Sequence, residues 1–183
     1  MTQGSKRIKI SVTGDLGSGK STVCRYLKER FNLNVYSIGL IQRSLAEKYQ
    51  MDIYAFNKYM ETHPEIDEEI DTELTRIGQR DENMVLDSRM AWHFVPDSFK
   101  VYLSVQLDSA AERIMRDQRG SVECYKTVEE AKEKIIARKR SENLRYITKY
   151  GVDCSDSDNY DLIIDTTHLS PEQVAETIMS KVE

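Results

Sequence analysis

The sequence is poor in the residues that break, staple or anchor a chain. Three prolines and eight glycines in 183 residues leave little room for long irregular linkers, and no repeat or low-complexity tract divides the chain. Its three cysteines, Cys24, Cys124 and Cys154, are odd in number, far apart and in no CxxC pair. That argues against a disulfide framework or a zinc site and fits a reducing, cytoplasmic setting. His63, His93 and His168 stand in no metal-ligand spacing. No apolar run approaches the roughly 18 residues that cross a bilayer. The opening MTQGSKRIKI lacks the apolar core of a signal peptide, so no membrane partner is expected.

A basic surplus is missing too. The formal net charge is -5, whereas proteins that wrap nucleic acid carry excess positive charge, so no nucleic-acid partner is expected. What is present is an ordinary globular composition, 39% hydrophobic and 31% charged, in a length that suits a single domain over residues 1–183.

Residues 7–13, RIKISVT, read as a first strand, followed by a helix from about Lys20 to Arg30. NVYS, NMVLDS, KVYLSV and YDLIID read as four more strands. In EIDEEIDTELTRIG, the residues Ile66, Ile70, Leu74 and Ile77 recur at helical spacing, and the acidic residues between them are expected to form the solvated face. Helices are expected after Asp108 as N-cap, from near Thr127 after a break at Gly120, and after Ser170 with Pro171 at the first helical position. Strands alternating with helices predict an α/β fold, a parallel sheet covered on both faces.

Gly14 to Ser21, GDLGSGKS, is a complete G-x-x-x-x-G-K-[ST] between the first strand and the first helix. In that context the glycines let consecutive backbone N–H groups point inward as a phosphate cradle at a helix N-terminus. Gly14, Asp15, Leu16, Gly17, Ser18, Gly19, Lys20, Ser21 and Thr22 are expected to hold a nucleoside triphosphate, with Lys20 on the β- and γ-phosphates and the Ser21 hydroxyl on Mg²⁺. The only Asn-Lys pair, Asn57-Lys58-Tyr59-Met60, lacks the Asp of a guanine-reading N-K-x-D, and the chain is too short and too poor in extra domains for a motor or transporter ATPase, which leaves small kinases. Asp87 ends the MVLD strand, where it would hold Mg²⁺ or cap the next segment. Arg89 follows at the carboxyl end of a parallel strand, where open α/β sheets bind ligands.

Together with that loop, YSIGLIQRSLA, VLDSRMAWHFVPDSFKVYL and RKRSENLRYITKYGVDCSDSDNYDLIIDT resemble the cytidylate kinase family in its compact form, over nearly the whole chain. The resemblance implies a five-stranded phosphate-loop kinase fold, a monophosphate-binding region at about residues 37–82 and a lid at about 116–140. It further implies a monomer that transfers phosphate from ATP to CMP, and to dCMP as well. Ser37, Gly39 and Arg43 match the start of the acceptor site, Arg89 matches another acceptor contact, and Arg113 and Arg116 match phosphate-facing arginines. Ser88 stands where the family usually has glycine, and residues 50–82 offer no recognisable base-reading set. Alternatives from outside the resemblance are a kinase for another monophosphate or small metabolite, a nucleotide-binding module without catalysis, and nucleic-acid binding through the basic helix.

That helix contains ARKRSENLRY. Arg138, Glu142 and Arg145 share one face, with Lys134 and Lys149 extending it. Ile136, Leu144 and Ile147 lie opposite, as the stripe expected to pack on the body. Arg138 and Arg145 are therefore expected to enter one cleft as a phosphate clamp, with Glu142 orienting an arginine or accepting from a ribose hydroxyl. Lys139 and Arg140 are left as bystanders, and Asp153 and Asp156 are undecided between anchoring the helix and contacting nucleotide.

Overall fold

The computed structural model describes residues 7–116 and 125–182. The expected break at Gly120 and the stretch 117–124 of the expected lid lie outside them. Five strands, β1 (Lys9–Gly14), β2 (Asn34–Ser37), β3 (Met84–Asp87), β4 (Phe99–Ser104) and β5 (Leu162–Asp165), form one sheet in the order β2-β3-β1-β4-β5. All four pairings are parallel, so the strands end on a common edge at Gly14, Ser37, Asp87, Ser104 and Asp165. The parallel sheet and its α/β class are as the sequence predicts.

Strand side chains alternate between faces, and each face has its own core. Ile10, Val12 and Val85 pack under α1 (Lys20–Phe31) and α8 (Pro171–Val182), against Leu27, Val174 and Ile178. Met84 and Leu86 point the other way. They pack on α2 (Ile38–Lys48), α3 (Ile53–Met60), α4 (Pro64–Gly78) and α5 (Ala91–Phe94) through Ala46, Phe56 and Leu74. Ser170 caps α8 as expected, its Oγ accepting from Gln173 N at 3.2 Å. Asp108 lies inside the first turn of α6 (Leu107–Arg116) and is not its N-cap.

The 23-residue helix α7 (Val128–Tyr150) runs unbroken from its Thr127 cap to Gly151, which takes a left-handed conformation. Small residues let α6 and α7 approach closely, Ala110 and Ala111 meeting Ala131 and Ile135. Further along, Tyr146 joins Met90, Trp92 and Cys154, so α7 lies across the carboxyl edge of the sheet. Asp153 secures it there by accepting from Asn143 Nδ2 at 2.8 Å. Asp156 instead caps the 3₁₀ turn Ser157–Asn159.

Candidate active site

The loop after β1 has the backbone that its glycines promise. Gly14 and Gly17 adopt φ of 149° and 78°, and a Cβ on either would collide with backbone, at 2.2 Å from Leu103 O and 2.7 Å from Ala110 O. The loop opens into α1, which has no acidic residue in its first turn and so leaves its N-terminal partial charge free for an anion. Ser18 Oγ is buried beside it without a hydrogen-bond partner among the described residues. A helix N-terminus with no side-chain cap and an orphaned hydroxyl fit a phosphate group. Lys20 Nζ donates to the carbonyls of Gly14 and Asp15 at 3.1 and 3.3 Å. Burial, then the positive charge of Arg89, lowers its pKa to about 8.

The cleft above this loop, about 550 Å³, is walled by the loop, α1, α2, α4, the turn after β3, α6 and α7. Gly39 and Arg43 line it from α2, and Asp87, Ser88 and Arg89 from the end of β3. Arg113 and Arg116 line it from α6, and Arg138 from α7. Ser37 stands behind the wall, donating to Asp87 Oδ2 at 2.8 Å. Arg89 donates to Gly14 O at 2.9 Å, which ties the acceptor side to the phosphate loop. Arg113 donates to the carbonyls of Thr166 and Thr167 at 2.7 and 3.0 Å. Ser88 fills the glycine position with a buried side chain whose Oγ accepts from Met90 N at 3.3 Å.

On α7 the structure inverts the amphipathic expectation. Arg138, Glu142 and Arg145 are buried, whereas Ile136, Leu144 and Ile147 are exposed at 46%, 65% and 44%. The stripe expected to pack on the body faces outward, because the charged face finds its partners inside. Glu142 Oε1 accepts from Arg138 Nε at 2.7 Å, and its Oε2 is ion-paired with Arg89. Burial pushes the Glu142 carboxyl up, but Arg89, Arg138 and Arg145 outweigh it and hold the pKa at about 2. Arg145 does not join Arg138 on the cleft wall. It is paired with Asp67 at 3.4 Å and donates to Asn57 O at 3.4 Å.

Three further groups escaped the sequence reading. Asp67 and Asp71, expected on the solvated face of α4, line the cleft beside Ile70 and Leu74, and burial raises the pKa of both. The sequence signal is faint: at about 100° per residue Asp67 lies about 20° outside the arc of Ile66, Ile70 and Leu74, and Asp71 about 60° outside it. Lys139, set aside as a bystander, reaches Asp15 Oδ1 at 2.6 Å. No spacing rule could have shown this contact, which joins residues 124 positions apart.

The cleft wall carries seven cationic side chains (Lys20, Arg25, Arg43, Arg89, Arg113, Arg116, Arg138) against four carboxylates (Asp15, Asp67, Asp71, Asp87). In a chain of net charge -5 this concentrates positive potential at the N-terminus of α1, the requirement for a polyanionic ligand. Comparison with known proteins agrees. Residues 10–137 match the family described as AAA domain. The chain is 37% identical over 175 residues to cytidylate kinase of Pyrococcus furiosus, covering 95% of this chain and 88% of that protein. It is 34% identical over 175 residues to the S-adenosylmethionine-dependent nucleotide dehydratase of Lacinutrix mariniflava, covering 94% of this chain but only 35% of that protein's length. Shikimate kinase from Acinetobacter baumannii shares the fold, with a TM-score of 0.58 at 17% identity over 97% of this chain and 93% of that one.

Proposed function

This chain belongs to the cytidylate kinase family of phosphate-loop nucleoside monophosphate kinases, and from that premise we propose that it transfers the γ-phosphoryl group of ATP to CMP and dCMP. The observation that carries the reading is the cationic cleft shared by the phosphate cradle and a second set of arginines, Arg43 and Arg89, on the acceptor side. Two facing anions need such a site.

An oxygen of the acceptor phosphate attacks the γ-phosphorus as the bond to the β–γ bridging oxygen breaks. The acceptor is already ionised near neutral pH, so no general base is required, and the protein's work is positioning and charge neutralisation. The cradle and Lys20 hold the donor, Arg43 and Arg89 hold the acceptor phosphate, and Arg113, Arg116 and Arg138 face the space between. Mg²⁺, when bound, neutralises phosphate charge, and Ser21 and Asp87 on the cleft wall would hold it or its waters. The region α2 to α4 serves the acceptor, and α6 with α7 forms the lid that excludes water.

The base would lie against Ile70 and Leu74 with Asp67 and Asp71 at its edge. A carboxylate accepts from the 4-amino group of cytosine and repels the 4-carbonyl of uracil, which favours CMP over UMP. Both Glu142 oxygens are engaged by guanidinium groups, so its role is to orient Arg89 and Arg138 rather than to bind ribose. Nothing in that arrangement penalises a 2′-deoxy sugar. The test is ADP release across CMP, dCMP, UMP, AMP and GMP. CMP and dCMP should exceed the others by at least about tenfold in kcat/KM, and turnover confined to a purine acceptor would refute the assignment.

A further inference from the structure

Asp15 places a carboxylate in a loop built to bind polyanions. Its neighbours show how the protein copes with that charge. Oδ1 accepts from Lys139 Nζ at 2.6 Å and from Tyr102 Oη at 2.8 Å, and Oδ2 accepts from Val105 N at 3.3 Å. Tyr102 stays protonated and able to donate, because burial, then the charge of Asp15, raises its pKa. The Asp15 side chain is 17% exposed and that of Lys139 47%, so this is a half-open ion pair of the kind that adds little to stability. Its position is another matter, since Asp15 also lies on the cleft wall and its carbonyl accepts from Lys20. Lys139 directly follows Arg138, the α7 arginine that faces the cleft.

We propose that Lys139 is a positioning residue for the donor nucleotide, acting through Asp15: it cancels a negative charge in the phosphate cradle and ties the arginine-bearing helix α7 to the loop. Without its ammonium group, the Asp15 carboxylate, still bonded by Tyr102 and Val105 but no longer neutralised, would repel the incoming triphosphate, and most strongly at low salt, where screening is weakest. The inference rests on the reading of this loop as the ATP site.

The test is a double-mutant cycle on the full chain: wild type, Lys139→Met, Asp15→Asn and the double variant, with ATP affinity by calorimetry at low and high salt and acceptor KM by steady-state kinetics. Lys139→Met should weaken ATP binding about tenfold at low salt and less at high salt, with acceptor KM changed by less than about twofold. Asp15→Asn in the Lys139→Met background should restore affinity to within about threefold of wild type. Thermal melting should be nearly unchanged in all three variants, which separates charge compensation from folding. An unaltered ATP affinity in Lys139→Met overturns the proposal. So does a double variant as weak as Lys139→Met, which would mean that Lys139 touches the nucleotide itself. The readout is affinity, so it stands apart from any failure of phosphoryl transfer, which would count against the kinase reading alone.

Discussion

Glu142 is one carboxylate serving two arginines from different elements, Arg89 after β3 and Arg138 on α7. Buried charges of this kind are costly unless each is matched, and removing one partner leaves the others uncompensated. Its pKa is lowered from 4.5 to about 2, so the folded state resists a proton that the unfolded chain accepts. The stability this supplies is present above about pH 4.5 and is lost as pH falls towards 2. Glu142→Gln should cost about 3 kcal/mol at neutral pH, and should flatten the acid side of the stability curve. Urea denaturation at pH 5, 3.5 and 2.5 compares the two proteins, and parallel curves would remove Glu142 from this role. Lys20 is the other decisive single residue. Its amine now bonds loop carbonyls that a triphosphate would outcompete, and Lys20→Ala should lower kcat by about 10²–10³-fold. A loss confined to the KM for ATP would show that it binds donor and transition state equally.

The helices divide by how locally their faces are determined. The phosphate loop, the five strands, the helix start near Thr127 and the cap at Ser170 were legible because each depends on neighbours a few residues away. The orientation of α7 was not, because its charged face is buried by Arg89 and Asp67, partners that come from other elements. Periodicity marks a stripe and its opposite, but not which one meets the body. Leu144 tests this directly: at 65% exposed, Leu144→Gln should change stability by less than about 0.5 kcal/mol. A core leucine would cost about 2–5 kcal/mol on truncation, so a loss of that size in thermal or urea unfolding would contradict the outward face. On α4 the error was similar in kind, with Asp67 and Asp71 taken as solvated although they flank the apolar stripe and line the cleft. Asp67→Asn replaces one carboxylate oxygen by an N–H donor, which can face the 4-carbonyl of uracil. The ratio of kcat/KM for CMP over UMP should fall about tenfold or more, and an unchanged ratio would place base selection elsewhere.

At the scale of the whole molecule, an acidic chain focuses its arginines into one cleft. Three of the six cleft-wall arginines are held by carbonyls or carboxylates of the protein: Arg113 on Thr166 and Thr167, Arg89 on Gly14 and Glu142, Arg138 on Glu142. This is preorganisation against like-charge repulsion, and it leaves the site dependent on an anion to complete it. Nucleotide should therefore bind the native state and not the unfolded chain, raising stability by linkage. At a free concentration 100 times Kd the gain is about 2.7 kcal/mol, which for a domain of this size shifts Tm by roughly 5–10 °C. ATP should give the full shift, ADP a smaller one, and cytidine, which lacks phosphate, almost none. Raising the ionic strength from about 0.05 to 0.5 M should shrink the ATP shift, because the part of the cleft open to solvent is screened. A cleft of about 550 Å³ admits nucleotides but cannot wrap a duplex, so an equimolar phosphate load of duplex DNA should leave Tm unmoved. A DNA-induced shift as large as that of ATP would mean that the basic face of α7 serves a nucleic acid after all.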